Sequence, residues 1–590
     1  MKHLQHLALL SLAAVVPAVA LAQEPASTPD PAQAPVVTEA EPAVVPAVQV
    51  PVAEDRWTAE ERASRVQALI DAPLSVNGTT ISPAEVRRQL VLYKGRTQLE
   101  SRKLDLMIEV ELTDRERIHN ERMAALQARV DAGEAVDEEI TAWDPSPFEL
   151  SEEEQTKAYE DALAAIREQY PNMDVEDVLA SNSLNLVGLQ RSLTQTTRFD
   201  RVFLPDDPEL WPPATEAALE KQLGAEMLPQ MKANWAQRAE TDQSNPGAAM
   251  WNGLMRRMVV QSLMADAVVE TPVDGLADDV AQRVNGSPTR VDDIWPEVES
   301  LVHPEDVRFV RRYLARSEAV RQDLTERGAW LSDEEFQAVY DAEAAVGEGT
   351  PWTIEMIVMV MKRYPTMDAY KQVLRGMKSY EGLIEDELTD QNLTDTWLPR
   401  ASRLLGLGET ECQIILLSAF DYPRNRWIDG GWEEAEQRAI EVIDALVESG
   451  GEAWDELIAT QSDFFDPPQA PQQQQMGAPQ DRKDQGRFGR IHRNRLMQML
   501  GESEFTSFVD GASVADTVYY EQEVGTIDGP FRGVHGYYIT RVDSRTVGKK
   551  AILLTDPNMR QMVVQDYVMQ TFLEYAAAQL DNAEVVGLDV

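Results

Sequence analysis

Residues 524–542 read VGTIDGPFRGVHGYYITRV and carry more information about the fold than any other stretch of the chain. Gly529 and Pro530 stand in the middle of the stretch, and the apolar residues Ile527 and Ile539 lie on either side of them. Tyr538 is predicted to be a sheet residue with a hydrogen-bonded hydroxyl, because a phenol with a reference pKa of about 10 is a poor acid or base at neutral pH. The stretch therefore predicts part of a β-sheet.

An ordered series of motifs precedes this stretch. The apolar run ECQIILL occupies residues 411–417, and residues 433–448 place apolar side chains at the spacing of an amphipathic helix. Gly450 and Gly451 follow that helix, as expected of residues that can adopt a left-handed cap conformation. The series ends with AWDELIA at 453–459, SD at 462–463 and GRFG at 486–489.

Together these segments resemble the parvulin-type (PpiC-type) peptidyl-prolyl isomerase domain. The closing signature of that family reads roughly G-E-I-S-G-P-V, a short turn, then F-G-Y-H-I-I-K-V. The resemblance implies an α+β domain at residues 409–546, with an antiparallel sheet and surrounding helices. Residues 467–485 form an insert rich in Pro and Gln, which we predict to be a flexible loop because it buries too little apolar surface to offset its ordering entropy.

The resemblance also shows that the catalytic positions of the family are altered. One family histidine falls on Tyr538, and the other falls on Gln413 or Ile414, depending on a one-residue shift. The family's Cys or Asp falls on Phe464. His535, the Tyr538 hydroxyl and Gln413 are therefore the candidate polar groups of a vestigial catalytic site. Since catalysis requires preferential stabilisation of the twisted prolyl bond, loss of this network predicts weak or lost activity.

The apolar residues that would contact the proline ring are better preserved than the polar residues of the catalytic network. The resemblance places Phe488, Leu496 and Leu500 where the family has the apolar side chains of the ring pocket, and Phe464 is assigned to substrate contact together with them. The openness of a groove around these residues would therefore distinguish a binding site from a filled core.

An internal repeat precedes the parvulin-like region. Asn-Gly pairs at 77–78 and 285–286 each predict a hairpin turn. LSEEE at 150–154 matches LSDEE at 331–335, and both contain the Ser-x-x-Glu pattern of a capping box. YPNMD at 170–174 matches YPTMD at 364–368. The first copy carries extra residues near 113–148.

Each copy resembles the N-terminal helical region of SurA-like foldases that contain parvulin domains. The resemblance implies a first module at 56–205, a helical connector at 206–280 and a second module at 281–400. It also implies a C-terminal helix within 547–590 that returns to the N-terminal module, and residues 581–586 could end it in a short strand. The predicted fold is mostly α with one α+β domain.

The N-terminus predicts export. Residues 1–22 combine Lys2, an apolar core too short to span a bilayer and the small-x-small site Ala20-Leu21-Ala22, the pattern of a cleaved signal peptide. Residues 23–55 are rich in Pro, Ala, Val and Glu and predict a disordered linker. The mature protein is therefore expected to be periplasmic or otherwise exported and soluble, without stable membrane insertion.

Composition excludes several function classes. The formal net charge of −47 opposes binding to nucleic-acid phosphates and anionic lipids. Cys412 is the single cysteine, so an internal disulfide is impossible. The histidines lack the spacing of a metal site, and the sequence has no nucleotide-binding fingerprint. Neither a metal nor a cofactor is expected.

These features predict an exported folding factor, or chaperone, that binds unfolded or extended polypeptides weakly at several sites. Two alternatives remain open: an active parvulin-type prolyl isomerase and a non-catalytic scaffold subunit of the cell envelope. The sequence does not specify the oligomeric state.

Overall fold

The computed structural model describes residues 57–588 except 136–138, 172, 240–245, 266, 346–353, 406–407, 423–425, 465–485, 512 and 549–550. The predicted signal peptide, the linker and the Pro- and Gln-rich insert lie outside the described residues. The fold is mostly helical with small antiparallel sheets, which confirms the predicted fold class.

Helices account for most of the described chain. Those of seven residues or more are α1 Ala59–Asp71, α2 Pro83–Lys94, α3 Arg96–Asp131, α4 Glu152–Gln169, α5 Val175–Ser181, α6 Leu186–Phe203, α7 Pro213–Leu223, α8 Leu228–Ala239, α9 Pro246–Ala265, α10 Val291–Val298, α11 Pro304–Glu326, α12 Asp333–Ala345, α13 Met367–Leu383, α14 Leu398–Leu405, α15 Gly431–Glu448, α16 Trp454–Gln461, α17 Arg493–Met499, α18 Glu504–Asp510 and α19 Pro557–Asn582. Shorter helical turns lie at Ser146–Phe148, Pro208–Leu210, Pro272–Asp274, Glu299–Leu301, Ile354–Met356, Ile357–Met361, Glu385–Glu387, Asp390–Asn392, Leu393–Trp397, Val514–Asp516 and Thr517–Glu521.

The strands are short except for two in the C-terminal third. They are β1 Leu74–Val76, β2 Thr79–Ile81, β3 Val269–Glu270, β4 Val280–Val284, β5 Ser287–Arg290, β6 Glu409–Ser418, β7 Phe420–Asp421, β8 Arg426–Trp427, β9 Arg487–Ile491, β10 Ile527–Arg532, β11 Gly536–Thr546 and β12 Val585–Val586.

The largest sheet lies within residues 409–546, which we call the sheet region. Its strand order is β10-β11-β6-β9, and all neighbours are antiparallel. Strands β6 and β11 pair so that Leu416 faces Tyr538 across the ladder and Ile415 faces Ile539. Because side chains alternate along a strand, these two pairs point to opposite faces of the sheet. Helices α15 and α16 cover the face of Ile415 and Ile539.

Both predicted Asn-Gly hairpins are confirmed. Asn77 and Asn285 have φ of 48°, and Gly78 and Gly286 have φ of 80° and 84°. A two-residue type I′ turn needs positive φ at both central positions, which Asn and Gly tolerate better than other residues. The hairpins β1–β2 and β4–β5 follow from these turns.

Each hairpin receives a third strand in the same way. The Asn77 amide donates to the Glu584 carbonyl, and the Asn77 Oδ1 accepts from the Glu584 amide, both at 2.8 Å. Asn285 makes the same two bonds with Val268, both at 2.9 Å. The third strand is β12 in the first case and β3 in the second. The predicted C-terminal strand is therefore confirmed, and it closes the first hairpin from the other end of the chain.

Helix α19 packs along α11 and α13 and brings the C-terminus back to the N-terminal helices. Arg311 on α11 fixes this return. Its buried guanidinium donates to the carbonyls of Leu69 and Ala72 at the end of α1, to Pro73, and to Gly587 just beyond β12. Burial lowers the pKa of this group. Four carbonyl acceptors compensate a buried cation that has lost its hydration.

The two predicted copies differ beyond their hairpins. Ser151 and Ser332 both form the predicted capping box with the Glu three residues on. Tyr170 is 39% exposed, whereas Tyr364 is 3% exposed and packs edge-on against Tyr370. In the first copy α3 continues to Asp131 as a largely exposed arm, at the position where extra residues were predicted. The duplication itself stays a prediction.

The sheet region is joined to the helices by α18. Phe505 lies 5.3 Å from Tyr313 between ring centroids, and Phe508 stacks on Phe572 at 5.9 Å. These rings belong to the same apolar core as α11, α13 and α19. Helix α18 therefore packs into the helical core and not only into the sheet region.

Candidate functional site

The register of the sheet separates the predicted site residues. Ile414, Leu416 and Tyr538 lie on one face, which we call the candidate face. Gln413 lies on the opposite face, under α15 and α16. There the Gln413 Nε2 donates to Asp543 Oδ2 at 2.7 Å, and the Gln413 Oε1 accepts from the Trp454 Nε1–H at 2.9 Å. Of the two alternatives left open by the sequence, Ile414 is thus the residue that shares a face with Tyr538.

Tyr538 is fully buried in the middle of the candidate face. Its hydroxyl donates to the Leu500 carbonyl at 3.4 Å and also hydrogen-bonds with Tyr422. Burial raises the pKa of Tyr538 well above its usual value, with a further contribution from Tyr422. The phenol is therefore neutral at any physiological pH and acts as a hydrogen-bonded core residue.

The structure brings the four predicted ring-binding residues together beside Tyr538. Phe464 is 8% exposed, Leu496 is 0% exposed and Leu500 is 1% exposed, while Phe488 is partly buried at the margin. The rings of Phe464 and Phe488 meet edge to face at 5.2 Å. Phe464, Leu496 and Leu500 belong to one apolar cluster with Tyr538, and Phe488 packs against it, so this part of the candidate face leaves little exposed surface.

His535 lies at the edge of the candidate face, in the turn between β10 and β11. Its imidazole stacks on Phe420 at 4.6 Å, and its Nδ1 lies 3.1 Å from the Tyr422 hydroxyl. Burial, with a smaller effect from the Lys94 ammonium, lowers the pKa of His535 to about 4. The ring is thus neutral near pH 7 and is held in an aromatic cluster that includes Trp427.

Tyr422 connects the two predicted polar groups His535 and Tyr538, and the sequence motifs did not indicate it. Its hydroxyl contacts both His535 Nδ1 and the Tyr538 side chain. The resulting chain of hydrogen bonds runs from His535 through Tyr422 and Tyr538 to the Leu500 carbonyl. A Tyr four residues after the end of β6, close to Phe420, is the signal that could have identified it.

A buried carboxyl lies close to the same face. Glu502 accepts hydrogen bonds from Ser513 Oγ at 2.9 Å and from the amides of Val514 and Ala515 at 2.8 and 3.1 Å. Burial raises the pKa of Glu502 to about 7. The carboxyl orders the turn that begins at Ser513, and its acceptors are engaged by that turn.

A separate polar cleft of about 640 Å³ lies between the two predicted copies. Helices α3 and α6 form one side, and β5 and α10 form the other. Arg191 spans it, with Asp105 at 3.0 Å and Glu297 as its second partner. Burial raises the pKa of Asp105 to about 6.

Comparison with known proteins gives only distant structural similarity. No family model matches the chain, and no curated protein matches it. The peptidylprolyl isomerase PrsA of Bacillus anthracis matches 45% of this chain and 95% of its own, at 14% identity and a TM-score of 0.18. PrsA of Bacillus cereus matches 52% of this chain and 92% of its own, at 15% identity and a TM-score of 0.18. PrsA of Bacillus subtilis matches 50% of this chain and 90% of its own, at 12% identity and a TM-score of 0.14. Such values assign no function, so the function has to be argued from the residues themselves.

Within the described ranges, every helix is too short or too polar to cross a membrane.

Proposed function

We propose that this chain is an exported folding factor of the SurA and parvulin type that holds unfolded or extended polypeptides and has little or no prolyl isomerase activity. The observation that supports this reading best is the filled candidate face. Tyr538, Leu496 and Leu500 leave almost no exposed surface there. Under this proposal, the position where the family binds its substrate is occupied by the protein's own side chains.

Physical chemistry explains why a filled face opposes catalysis. The barrier to rotation about a peptide bond is about 18–20 kcal/mol, and an isomerase must bind the twisted bond better than the planar one. Admitting a proline ring here would expose side chains such as Leu496 and Leu500, at a cost of about 1.5–3 kcal/mol each. The Tyr538 hydroxyl would also have to leave the Leu500 carbonyl. Binding energy would be consumed in opening the core.

Client binding is better suited to surfaces outside the sheet region. The arm of α3 exposes Val110, Ile118 and Val130, and Ile140 follows it in the chain. The cleft beside Arg191 offers a second, polar surface between the predicted copies. Several weak contacts along one extended polypeptide add up through effective concentration, so none of them has to be strong.

The proposal is tested with the full mature chain and an unfolded, aggregation-prone protein. Near-stoichiometric amounts should slow light scattering by the client. Replacing Ile118 and Val130 by Ser should weaken this protection, because both side chains are exposed and can contribute to binding without being needed for the fold. Ile440→Ser on α15 is the matched control, since Ile440 is also exposed but lies outside the arm.

Absence of any protection by the wild-type chain would contradict the chaperone reading. Purification in fixed stoichiometry with an envelope complex, together with that absence, would favour the scaffold instead. Equal loss of protection in the arm variant and in Ile440→Ser would contradict the assignment of the arm as the binding surface.

Export is tested separately. The proposed cleavage after Ala22 leaves Gln23 as the mature N-terminus. Intact-mass measurement of the native protein should therefore find residues 1–22 removed. A native mass that still includes them would contradict the exported location.

A further inference from the structure

Two arginines from different parts of the chain converge where the second predicted copy meets the sheet region. Arg363 follows the short helical turn Ile357–Met361, and Arg495 lies on α17. The Arg363 guanidinium donates to the Gln498 carbonyl at 3.3 Å, and the Arg495 guanidinium donates to the Gln498 side-chain oxygen at 2.5 Å. All three residues are exposed to solvent. One glutamine thus holds two cations side by side on an open surface.

Within the part of the chain that the structure describes, neither guanidinium forms an ion pair. This is unusual in a chain with 101 acidic and 54 basic residues, where most arginines find a carboxylate. Partial loss of hydration at the guanidinium and, to a smaller degree, the neighbouring Arg495 charge lower the pKa of Arg363, and the second effect is expected of like charges placed together.

The backbone at Arg363 provides an independent observation. Its φ is 58°, in the left-handed region that non-glycine residues rarely adopt. Neighbours on both sides hold it there: Tyr364 is buried and its amide donates to Val358, while the Lys362 ammonium lies over the Tyr370 ring at 5.1 Å. A strained residue that is fixed by its surroundings and displays a charged group is typical of a functional site.

We propose that Arg363 and Arg495, positioned by Gln498, form an anion subsite that binds the carboxylates of an acidic segment in an extended polypeptide. Guanidinium groups bind carboxylates with paired, charge-assisted hydrogen bonds. The subsite is open to the surface, and Met361, two residues from Arg363, is 66% exposed and supplies an apolar contact for a neighbouring client side chain. The identity of the ligand as a client rests on the proposed function, whereas the anion subsite does not.

The net negative charge of the chain explains why a local anion subsite would help it bind acidic polypeptides. At −47, the protein repels acidic polypeptides over most of its surface, and a local pair of cations offsets that repulsion at one place. At an ionic strength of about 0.15 M, screening confines charge interactions to about 8 Å, so the local pair outweighs the distant acidic groups.

The test uses the full mature chain and two fluorescent peptides of the same length, one with alternating Glu and Leu and one with alternating Gln and Leu. The Glu peptide should bind the wild type about tenfold more tightly, a difference within the range of charge-assisted hydrogen bonds. The double variant Arg363→Gln and Arg495→Gln should abolish that preference. Arg117→Gln is the matched control, because Arg117 is exposed but paired with Glu121 on the arm, and it should leave the preference intact.

Three outcomes would overturn the proposal. They are equal binding of the two peptides to the wild type, an unchanged preference in the double variant, and displacement of the Glu peptide by inorganic phosphate at equal concentration, which would indicate a site for small anions. The proposed function can fail while the anion subsite stands. If the wild type binds the Glu peptide but does not protect unfolded clients from aggregation, the anion subsite is supported and its use for client binding is refuted. An unchanged midpoint of thermal unfolding in the double variant shows that the loss of the Glu-peptide preference is a local effect at the subsite.

Discussion

The two faces of the four-stranded sheet should differ if one of them were catalytic. Under α15 and α16, Ile415 and Ile539 are fully buried, as expected of a structural face. On the candidate face Ile414 and Tyr538 are buried to the same degree. A substrate-binding face has to leave room for a ligand, and this one does not. The comparison teaches that both faces of this sheet are used for packing.

The largest expected effect comes from truncating one leucine on each face. Leu496→Ala on the candidate face should lower the free energy of unfolding by about 2–5 kcal/mol, because it leaves a cavity in a filled core. Leu446→Ala on α15, which packs against the opposite face, should have a similar effect, since Leu446 is also buried. Amide hydrogen exchange of β6 and β11 measures both losses in the same sheet. A nearly neutral Leu496→Ala beside a costly Leu446→Ala would reveal an open pocket and restore the difference between the faces.

An intermediate effect is expected from Gln413→Ala. This change removes the acceptor of the buried Trp454 indole N–H and should cost about 1–3 kcal/mol. The loss should appear as faster exchange in α16 and β6, with client protection unchanged. If Gln413→Ala left stability intact and instead altered an isomerase activity, Gln413 would belong to a reactive site and the assignment of the faces would be wrong.

The smallest effect concerns the protonation of His535. Its lowered pKa of about 4, against a reference of about 6.5, means that the unfolded chain binds a proton more readily between these values. The contribution of His535 to stability is therefore complete above pH 6.5 and falls as the pH is lowered towards 4. NMR of the imidazole should give a midpoint near pH 4, and His535→Gln should remove the resonance and this part of the pH dependence. A midpoint of 6–7 would indicate an open, solvated histidine.

Local sequence signals were sufficient for much of the fold. The Asn-Gly pairs gave both hairpins because positive φ at both positions restricts the residue choice. The stretch at 524–542 gave the strands β10 and β11, and the valines at 585–586 gave β12. The capping boxes at Ser151 and Ser332 marked helix starts through a Glu only three residues further on, without any contribution from a distant element. Each of these signals depends on neighbours within a few residues.

The candidate site could not be derived in the same way, because it depends on register and on distant partners. A shift of one residue decides whether Gln413 or Ile414 shares a face with Tyr538, and an apolar run such as ECQIILL does not fix that shift. The pairing of β6 with β11 fixes it. Burial of Leu496 and Leu500 likewise requires the whole set of packed elements. The seven residues of α18 are too few to predict that Phe505 and Phe508 enter the helical core.

The central claim, that the candidate face is closed to prolyl substrates, is tested most directly by a refolding reaction limited by prolyl isomerisation. The uncatalysed reaction takes tens to hundreds of seconds at 25 °C, so a slow phase is readily followed by fluorescence. Catalytic amounts of the full mature chain should leave the rate constant of that phase unchanged, and Tyr538→Phe should behave like the wild type. A marked acceleration by the wild type that is lost in Tyr538→Phe or His535→Ala would contradict the account and establish an active isomerase.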